Sequence, residues 1–533
     1  QIHQEIVSMG LLGKDVVLGT ALVDMYAKCG ILTKAQEILE ELYTRDEVSW
    51  SALITGYVKE EKHTRALTCF ERMQIEGLSP DAVTFSCILK VCGSIGDVEK
   101  GKQIHNKVGS RGLLERDIVL GTALVDMYAK CGVLGKAQRV LEELPVRTLI
   151  SWNAMLSGYA QHGQSHNALH CLQQMQHEGF SPNSITFLSI LKACANMGAI
   201  EKGTRFHDEI VNRGFLKDVA IGNALIDMYA KCADLEKAHK VLKDLPARNL
   251  ISWNALIEGY SKEGKDHEAL NCFEEMQREG LAPDVVTFTC ILKSCGKIRA
   301  IAKGEQIHED IMARGLLTKD IVLGNALVDM YGKCSQLGKA HKLLEELPDK
   351  DTCSWNALIA EYAQQGQGKE ALDCFGNMQK ESLFPDSVTF VCIMKACGVT
   401  RDLEKGKQIH EMVLSREMVE KDIVLGNALV HMYAKCGASE RAARVLDELH
   451  VRDIISWNAL IGGYAQQGEG HRALEFFQRM RSEGLSPDVV TYTCILKACG
   501  TIGDIDKGKQ IHEEIISRGL LEKHDIVLGT SLL

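Results

Sequence analysis

The sequence predicts an all-α protein, a right-handed superhelical solenoid of two-helix repeats. Three observations predict it: an internal period of about 102 residues, the division of that period into three hairpin-sized pieces, and apolar residues spaced by three and four between glycine and proline breaks.

The period is carried by the string D-(I/V)-V-L-G-(T/N)-A-L-V-(D/H)-M-Y. With small variations it starts at Asp15, Asp117, Asp218, Asp320 and Asp422, and a truncated copy starts at Asp525. A period this long exceeds one supersecondary unit and divides into 31 residues such as Val16–Asp46, 35 such as Glu47–Asp81, and usually 36 such as Ala82–Asp117. The triplet runs five times and gives fifteen complete pieces; Ser184–Asp218 deviates with 35 residues and Val489–Asp525 with 37. One continuous array over 1–533 is therefore expected, with partial repeats at 1–15 and 526–533. Both ends fall inside repeats, so the chain is expected to be a segment of a longer one.

Each piece reads as a helical hairpin. In Leu250–Asp284 the segment LISWNALIEGYSK places Trp253, Leu256, Ile257 and Tyr260 on one face. Gly264 breaks the chain, HEALNCFEEMQREG aligns Ala269, Leu270, Phe273 and Met276, and Gly280 stops the second helix. Leu-Ala-Pro-Asp then leads into the next piece, with Asp284 placed to cap the following helix. No stretch shows sustained strand alternation. A hairpin this short cannot bury its apolar face alone, so neighbours must stack.

Composition narrows the function. The net charge of −10 argues against binding nucleic acid mainly through phosphates, but leaves base-edge recognition open. No apolar run approaches the ~18 residues that cross a membrane. The 19 cysteines include no C-x-x-C. Many recur at fixed places, Cys29, Cys131, Cys232, Cys334 and Cys436 after Tyr-(Ala/Gly)-Lys, and Cys92, Cys194, Cys295, Cys397 and Cys499 in the long pieces. They lack zinc-ligand spacing and read as small packing residues. No cofactor is expected.

Two repeat families have units of this size. Trp253, Leu256, Tyr260, Ala269, Phe273 and Pro283 partly match the tetratricopeptide pattern, but Met276 stands where that family uses a small alanine, and the lengths are not 34. The alternation of 31, 35 and 36 residues, with VVTFTCILKSCG and KGEQIHEDI, DMYAKCG, and SWNALIxGYxxxG with EAL, resembles the long, short and standard motifs of the PLS class of plant pentatricopeptide repeat proteins. The resemblance covers the whole chain. It implies an RNA-binding protein of mitochondrion or plastid, most often a site-recognition factor for C-to-U editing, with editing-complex proteins as possible partners.

The resemblance also implies that the fifth and last residues of each repeat meet one base of single-stranded RNA. A carboxylate only accepts, which suits uracil and guanine; an Asn amide donates, which suits cytosine and adenine. A long Asn at the fifth position reaches pyrimidines, and Ser or Thr leaves room for purines. Thr20/Asp46 and Ser51/Asp81 then suggest G; Thr122/Thr148 suggests a purine; Asn153/Asn183 and Asn223/Asn249 suggest C. Asn254/Asp284, Asn325/Asp351, Asn356/Asp386, Asn427/Asp453 and Asn458/Asp488 suggest U. The long repeats carry Ser86, Leu188, Thr289, Val391 and Thr493 at the fifth position and are expected to read poorly. With RNA running 5′ to 3′ from the N-terminus, the expected site is 5′-GGx(purine)CxCUxUUxUUx-3′. Second-position residues such as Val17, Val119, Ile251, Val322 and Ile455 would sandwich the bases, or serve an ordinary core.

Competing readings stand beside these. A terminal Asp or Asn just before a helix can be simply an N-cap, and the two roles can coexist. The H-x-E triplets at His3/Glu5, His207/Glu209 and His512/Glu514 resemble half of a zinc-deaminase signature, but no Pro-Cys-x-x-Cys accompanies them, so no catalytic site is expected. The rival function is a protein–protein scaffold of the tetratricopeptide type, favoured by the negative charge and the lack of an evident basic stripe.

Overall fold

The structure is a computed structural model and describes residues 16–518 apart from 319, 417 and 419–421. The expected partial repeats at 1–15 and 526–533 lie outside the described residues. Among these residues there are thirty α-helices, one 3₁₀ turn at Phe215–Lys217 and no strand. The chain divides into two units, Gln1–Glu263 and Gly264–Leu533, and each is considered by itself. The division falls between Leu250–Lys262 and Asp266–Arg278.

The helices come as pairs, a leading and a trailing helix. Leu250–Lys262 is the segment expected from its apolar spacing; the next helix starts at Asp266, one residue earlier than expected. Gly264 and Gly280 adopt φ +71° and +81°, so each break is a left-handed turn that costs glycine little. The trailing helices of the short repeats are the source of the length alternation. Leu32–Glu41, Leu134–Glu143, Leu235–Asp244, Leu337–Glu346 and Ser439–Glu448 have 10 residues, against 13 for His63–Ile75 and its standard counterparts.

The shortened helix changes what packs at its end. Its terminal leucine, Leu144 for example, lies where a Cβ on Gly121 would clash. Gly222, Gly324 and Gly426 face Leu245, Leu347 and Leu449 in the same way. Standard repeats carry a buried Trp at that helix position: Trp50, Trp152, Trp355 and Trp457. The last carbonyls of the shortened helix need donors. Arg45 supplies them, with Nε donating to Leu39 O at 2.8 Å and Nη2 to Glu40 O at 3.1 Å, and Nη1 pairs with Glu76 of the next repeat. Arg147 and Arg452 repeat this fork. Lys350, with one ammonium, reaches only Glu381.

Within each unit every leading helix packs on the leading helices before and after it. Trailing helices pack on the leading helix of their repeat and on the next one where these lie in the same unit and among the described residues. The cysteines fill the seams. Cys131 Sγ donates to Cys92 O at 3.6 Å, and Cys436 Sγ to Cys397 O at 3.4 Å, so the two recurrent cysteine series meet where a long repeat joins a short one. Burial pushes the Cys92 and Cys397 thiols up to about 12, which keeps them protonated and inert at neutral pH.

The turn after the short repeats' leading helix provides an internal substitution series. Gly30, Gly132 and Gly437 occupy it at positive φ, whereas Ala233 and Ser335 hold φ +61° there. A side chain in that conformation is strained. Ala233→Gly and Ser335→Gly should each raise stability by about 0.5–1 kcal/mol, measured as the urea midpoint at constant slope. A lowered midpoint would show that the side chains hold the turn.

Candidate nucleic-acid interface

The residue that ends each short or standard repeat stands immediately before the next leading helix and caps it. Asp46, Asp351 and Asp453 accept from the backbone N–H of Ser49, Ser354 and Ser456; Asn183, Asp386 and Asp488 accept from Thr186, Thr389 and Thr491. Asp81, Thr148, Asn249 and Asp284 also cap. Long repeats cap differently: Asp117, Asp218, Asp320 and Asp422 accept from the second residue of the helix.

The same side chain bonds the fifth residue of its own repeat. Thr20 Oγ1 donates to Asp46 Oδ1 at 3.1 Å, and Asn153 Nδ2 to Asn183 Oδ1 at 3.0 Å. Asn325, Asn356, Asn427 and Asn458 donate to Asp351, Asp386, Asp453 and Asp488 at 3.0–3.2 Å. Six of the pairs singled out from the sequence are thus joined. Ser51 and Asp81 are not, nor are Asn223 and Asn249. Thr122 turns its hydroxyl to Ile118 O instead of Thr148. Asn254 lies on Leu250–Lys262 and Asp284 caps Val285–Lys297, in different units.

Bond by bond, capping occupies one atom and leaves another. Asp386 Oδ1 receives Thr389 N at 2.8 Å, Thr389 Oγ1 at 2.8 Å and Asn356 Nδ2 at 3.0 Å, while Oδ2 has no partner among the described residues. Asp351 and Asp488 share this arrangement. Burial raises the Asp386 pKa, but the bonds from Thr389 and Asn356 outweigh it and hold the carboxyl below its ordinary range. The group is therefore an anion with one free acceptor. Asn183 spends Oδ1 on Thr186 N, Thr186 Oγ1 and Asn153, which leaves its amide as a free donor.

The fifth-position asparagines are fixed in two ways. In standard repeats the Thr186, Thr389 and Thr491 hydroxyls also stand 2.6–2.7 Å from the side-chain carbonyls of Asn153, Asn356 and Asn458, so one hydroxyl proton is shared between that carbonyl and the terminal residue's Oδ1. Short repeats are followed by Ser rather than Thr, and the buried Oδ1 atoms of Asn223, Asn325 and Asn427 have no partner. In long repeats Thr289 and Thr493 give their hydroxyl protons to Val285 O and Val489 O, and Leu188 and Val391 have none to give.

Second-position residues stand out from the same face. Val17, Val119, Ile251, Val322 and Ile455 are 48–78% exposed, too open for a core role. In the fourth standard repeat the position is Cys353, also exposed. Each unit has a groove beside such residues, one lined by Val83, Val119, Thr122, Ile150, Asn153 and Ile185, the other by Val424, Asn427, Ile455, Asn458, Asp488 and Val490. Sequence reading missed the lysines beside them, Lys90 and Lys130 in the first groove and Lys395 and Lys435 in the second. Their signal was Met-Tyr-(Ala/Gly)-Lys for Lys130 and Lys435 and Ile-(Leu/Met)-Lys for Lys90 and Lys395, both of which recur with the period. His207, of one H-x-E triplet, sits on Ile200–Asn212 against Tyr229 OH, and Glu209 pairs with Arg213.

Stacked helical hairpins, six of them presenting a hydrogen-bonded pair of polar side chains beside exposed apolar ones, define a helical-repeat protein whose short and standard repeats carry a polar address. A family model described as the PPR repeat family matches residues 45–94, 147–196, 248–297, 350–398 and 452–501. A second, described as PPR repeat, matches 83–113, 223–250, 325–351, 427–454 and 490–520. A pentatricopeptide repeat-containing protein of Arabidopsis thaliana is 33% identical over 519 residues, 97% of this chain and 74% of its own length. Two others from that plant, named mitochondrial and chloroplastic, are each 33% identical over 97% and 92% of the chain and 50% and 60% of their own lengths. The chain belongs to the pentatricopeptide repeat family. It spans half to about three quarters of the length of these relatives. The solved structure of the pentatricopeptide repeat protein PPR10 from maize shares the fold, with a TM-score of 0.64 at 19% identity over 96% of this chain and 80% of that one. PPR10 in complex with an 18-nt psaJ RNA element matches at a TM-score of 0.53 and 19% identity, over 93% of this chain and 83% of that one.

The threonine that ties cap to fifth residue can be tested. Thr389→Val keeps the shape but leaves Asn356 Oδ1 buried without a donor. Stability should fall by about 1–3 kcal/mol in urea unfolding. A change near zero would mean the Asn356 carbonyl is not held by this bond.

Proposed function

We propose that the chain binds single-stranded RNA in a sequence-specific way, one base per short or standard repeat, as the recognition segment of an organellar RNA-editing or RNA-processing factor. The carrying observation is the unspent atom on the terminal side chains of Asn183, Asp351, Asp386 and Asp488. Asp351, Asp386 and Asp488 offer an acceptor, as uracil's imino N–H needs; Asn183 offers a donor, as cytosine's ring nitrogen needs. The fifth residue is held against it and sets the room left for the base. Capping and reading use different oxygens, so the two readings of the terminal residue are compatible.

The expected target is 5′-GGx(purine)CxCUxUUxUUx-3′, with the long repeats as spacers: Leu188 and Val391 have no hydroxyl, and Thr289 and Thr493 spend theirs on backbone carbonyls. The short, standard and long alternation supports the PLS class, and that class suggests C-to-U editing with further editing proteins as partners. Relatives named mitochondrial and chloroplastic support an organelle. PPR10 bound to an RNA element supports the ligand class.

Reprogramming one repeat tests the reading inside a single unit. Asn356→Thr shortens the fifth residue and keeps the acceptor, so preference at that position should move from U to G. Asp386→Asn keeps the cap and supplies a donor, so preference should move to C. The wrong base should cost about 1–3 kcal/mol, measured by competition with RNAs differing at one nucleotide. Folded variants that both keep U would sink the two-residue reading, and a randomised-RNA selection that enriches nothing while peptides bind tightly would favour the scaffold.

Cys353 supplies a second test without mutation. Its exposed thiol stands at a second position, against the proposed base of Asn356 and Asp386. Target RNA should slow its alkylation at least several-fold, read by mass spectrometry of the labelled peptide. Equal labelling with and without bound RNA would place the RNA elsewhere.

A further inference from the structure

Four short repeats end their leading helix in Asp-Met-Tyr-(Ala/Gly)-Lys; the fifth ends in His-Met-Tyr-Ala-Lys. In the four, the aspartate holds the lysine one turn on: Lys28–Asp24 and Lys130–Asp126 at 2.7 Å, Lys231–Asp227 at 2.8 Å, Lys333–Asp329 at 2.6 Å. Each of those lysines presents little net charge to the groove. His431 removes the counter-ion, and Lys435 has no ion-pair partner among the described residues. Lys395, from the long repeat before, lines the same groove as His431 and Lys435.

The first groove supplies the internal control. It places Lys90, Asp126 and Lys130 where the other has Lys395, His431 and Lys435. The apolar frame is the same in kind, Val119 and Ile150 against Val424 and Ile455; the first groove is lined by Asp117 as well as Asp126, and the exchange of Asp126 for His431 turns an acid into an imidazole between the two lysines. Asp488 is the only carboxylate lining the second groove, and its Oδ1 is spent on Thr491 and Asn458.

We propose that Lys395, His431 and Lys435 form a phosphate subsite that holds one phosphodiester of the bound RNA, beside the bases met by Asn427/Asp453 and Asn458/Asp488. This rests on the RNA reading above. Two ammonium groups and an imidazole converge on a groove whose other polar residues face the bases, and a phosphodiester brings the missing negative charge. In a chain of net charge −10, one such point fixes the register of the strand where diffuse attraction is weak.

Binding there is coupled to a proton. The charges that bear on His431 are Lys435 on its own helix and Lys395 from Ser387–Thr400. Ile454–Gln466 brings the neutral Asn458 and Gln466 to the groove, and the trailing helices Leu403–Leu414 and Ser439–Glu448 contribute no charge to His431. Glu361, buried one repeat earlier, bears on Lys395 rather than on His431. Burial and the two lysines hold the imidazole below its ordinary range, and an arriving phosphate reverses that push. Binding therefore takes up a proton and tightens as pH falls towards the ordinary histidine range.

The test is a scan of target RNA in which each phosphodiester in turn is replaced by a neutral methylphosphonate. In the unaltered chain one linkage, beside the paired uridines of the last triplet, should cost about tenfold in affinity and the others much less. His431→Asp recreates the ion pair present four times elsewhere, so it should melt like the parent. It should silence that linkage, flatten the pH dependence between about 8 and 6, and make the log–log salt slope shallower by about 0.7. Millimolar inorganic phosphate should not displace the RNA; displacement would mark a site for a free anion and overturn the proposal. A flat scan, or the same sensitive linkage in His431→Asp, with base preference intact, overturns the subsite alone. Absence of any RNA binding by the parent overturns the RNA reading and the subsite with it.

Discussion

The cap oxygen at each repeat junction is the contact on which the rest depends. A leading helix begins with unsatisfied N–H groups, and the repeat before it must supply an acceptor there. In the described short and standard repeats the acceptor is Asp, Asn or Thr at a fixed place, which ties the start of one helix to the end of the previous hairpin. Where the fifth residue joins, as at Asp386 Oδ1 with Thr389 and Asn356, one oxygen orders three side chains from two repeats. The proposed reading atom is held still because its sister atom is already bound, so it meets a ligand with little ordering left to lose.

The repeats also act as a substitution series, and their departures come in compensating pairs. Tyr57 and Tyr159 donate to Gln36 and Gln138, but the fifth short repeat has Ala443 there. Tyr464 loses its acceptor and stacks on Phe476, centroids 5.1 Å apart, where the other standard repeats carry a cysteine. Glu361 replaces a glycine of the other standard helices, and Gly332 stands opposite it in place of an alanine, because a Cβ there would lie 2.6 Å from Glu361 Cγ. His431 differs in kind. It faces a groove, breaks an ion pair and leaves a lysine free, and nothing in the packing compensates. That asymmetry is why it reads as a binding feature and the others as core adjustments.

Much of this was legible in the sequence because it is periodic. Trp253, Leu256, Ile257 and Tyr260 located a helix to the residue, and Asp284 announced the next one, since spacing and capping are local rules. The start of the following helix was read one residue late, because Lys265 at its N-cap offers no side-chain bond to mark it. The chemistry of the address was only half legible. Residue type says that Asp386 accepts and Asn183 can donate, but which oxygen the cap consumes depends on Thr389 and Thr186 folding back from the next repeat. The orphaned carbonyls of Asn325 and Asn427 follow from Ser standing where Thr would be, a difference of one methyl group that no propensity registers.

Charge was the least legible, for a physical reason. A net charge of −10 describes the whole surface, while a ligand meets only one face. Much of the acid is paired away from the grooves, as in Glu76 with Arg45 or Glu483 with Arg452 at the trailing-helix ends. On the groove face the lysines recur every repeat triplet, but in four short repeats an aspartate one turn back neutralises them. The bulk count could not separate cancelled charge from absent charge. The distinction matters because a cancelled lysine needs only one substitution, Asp to His, to become available. The acidic balance that favoured a protein scaffold therefore carries little weight against RNA: base edges need no phosphate attraction, and the uncancelled cluster of Lys395, His431 and Lys435 lies beside the paired Asn427 and Asn458.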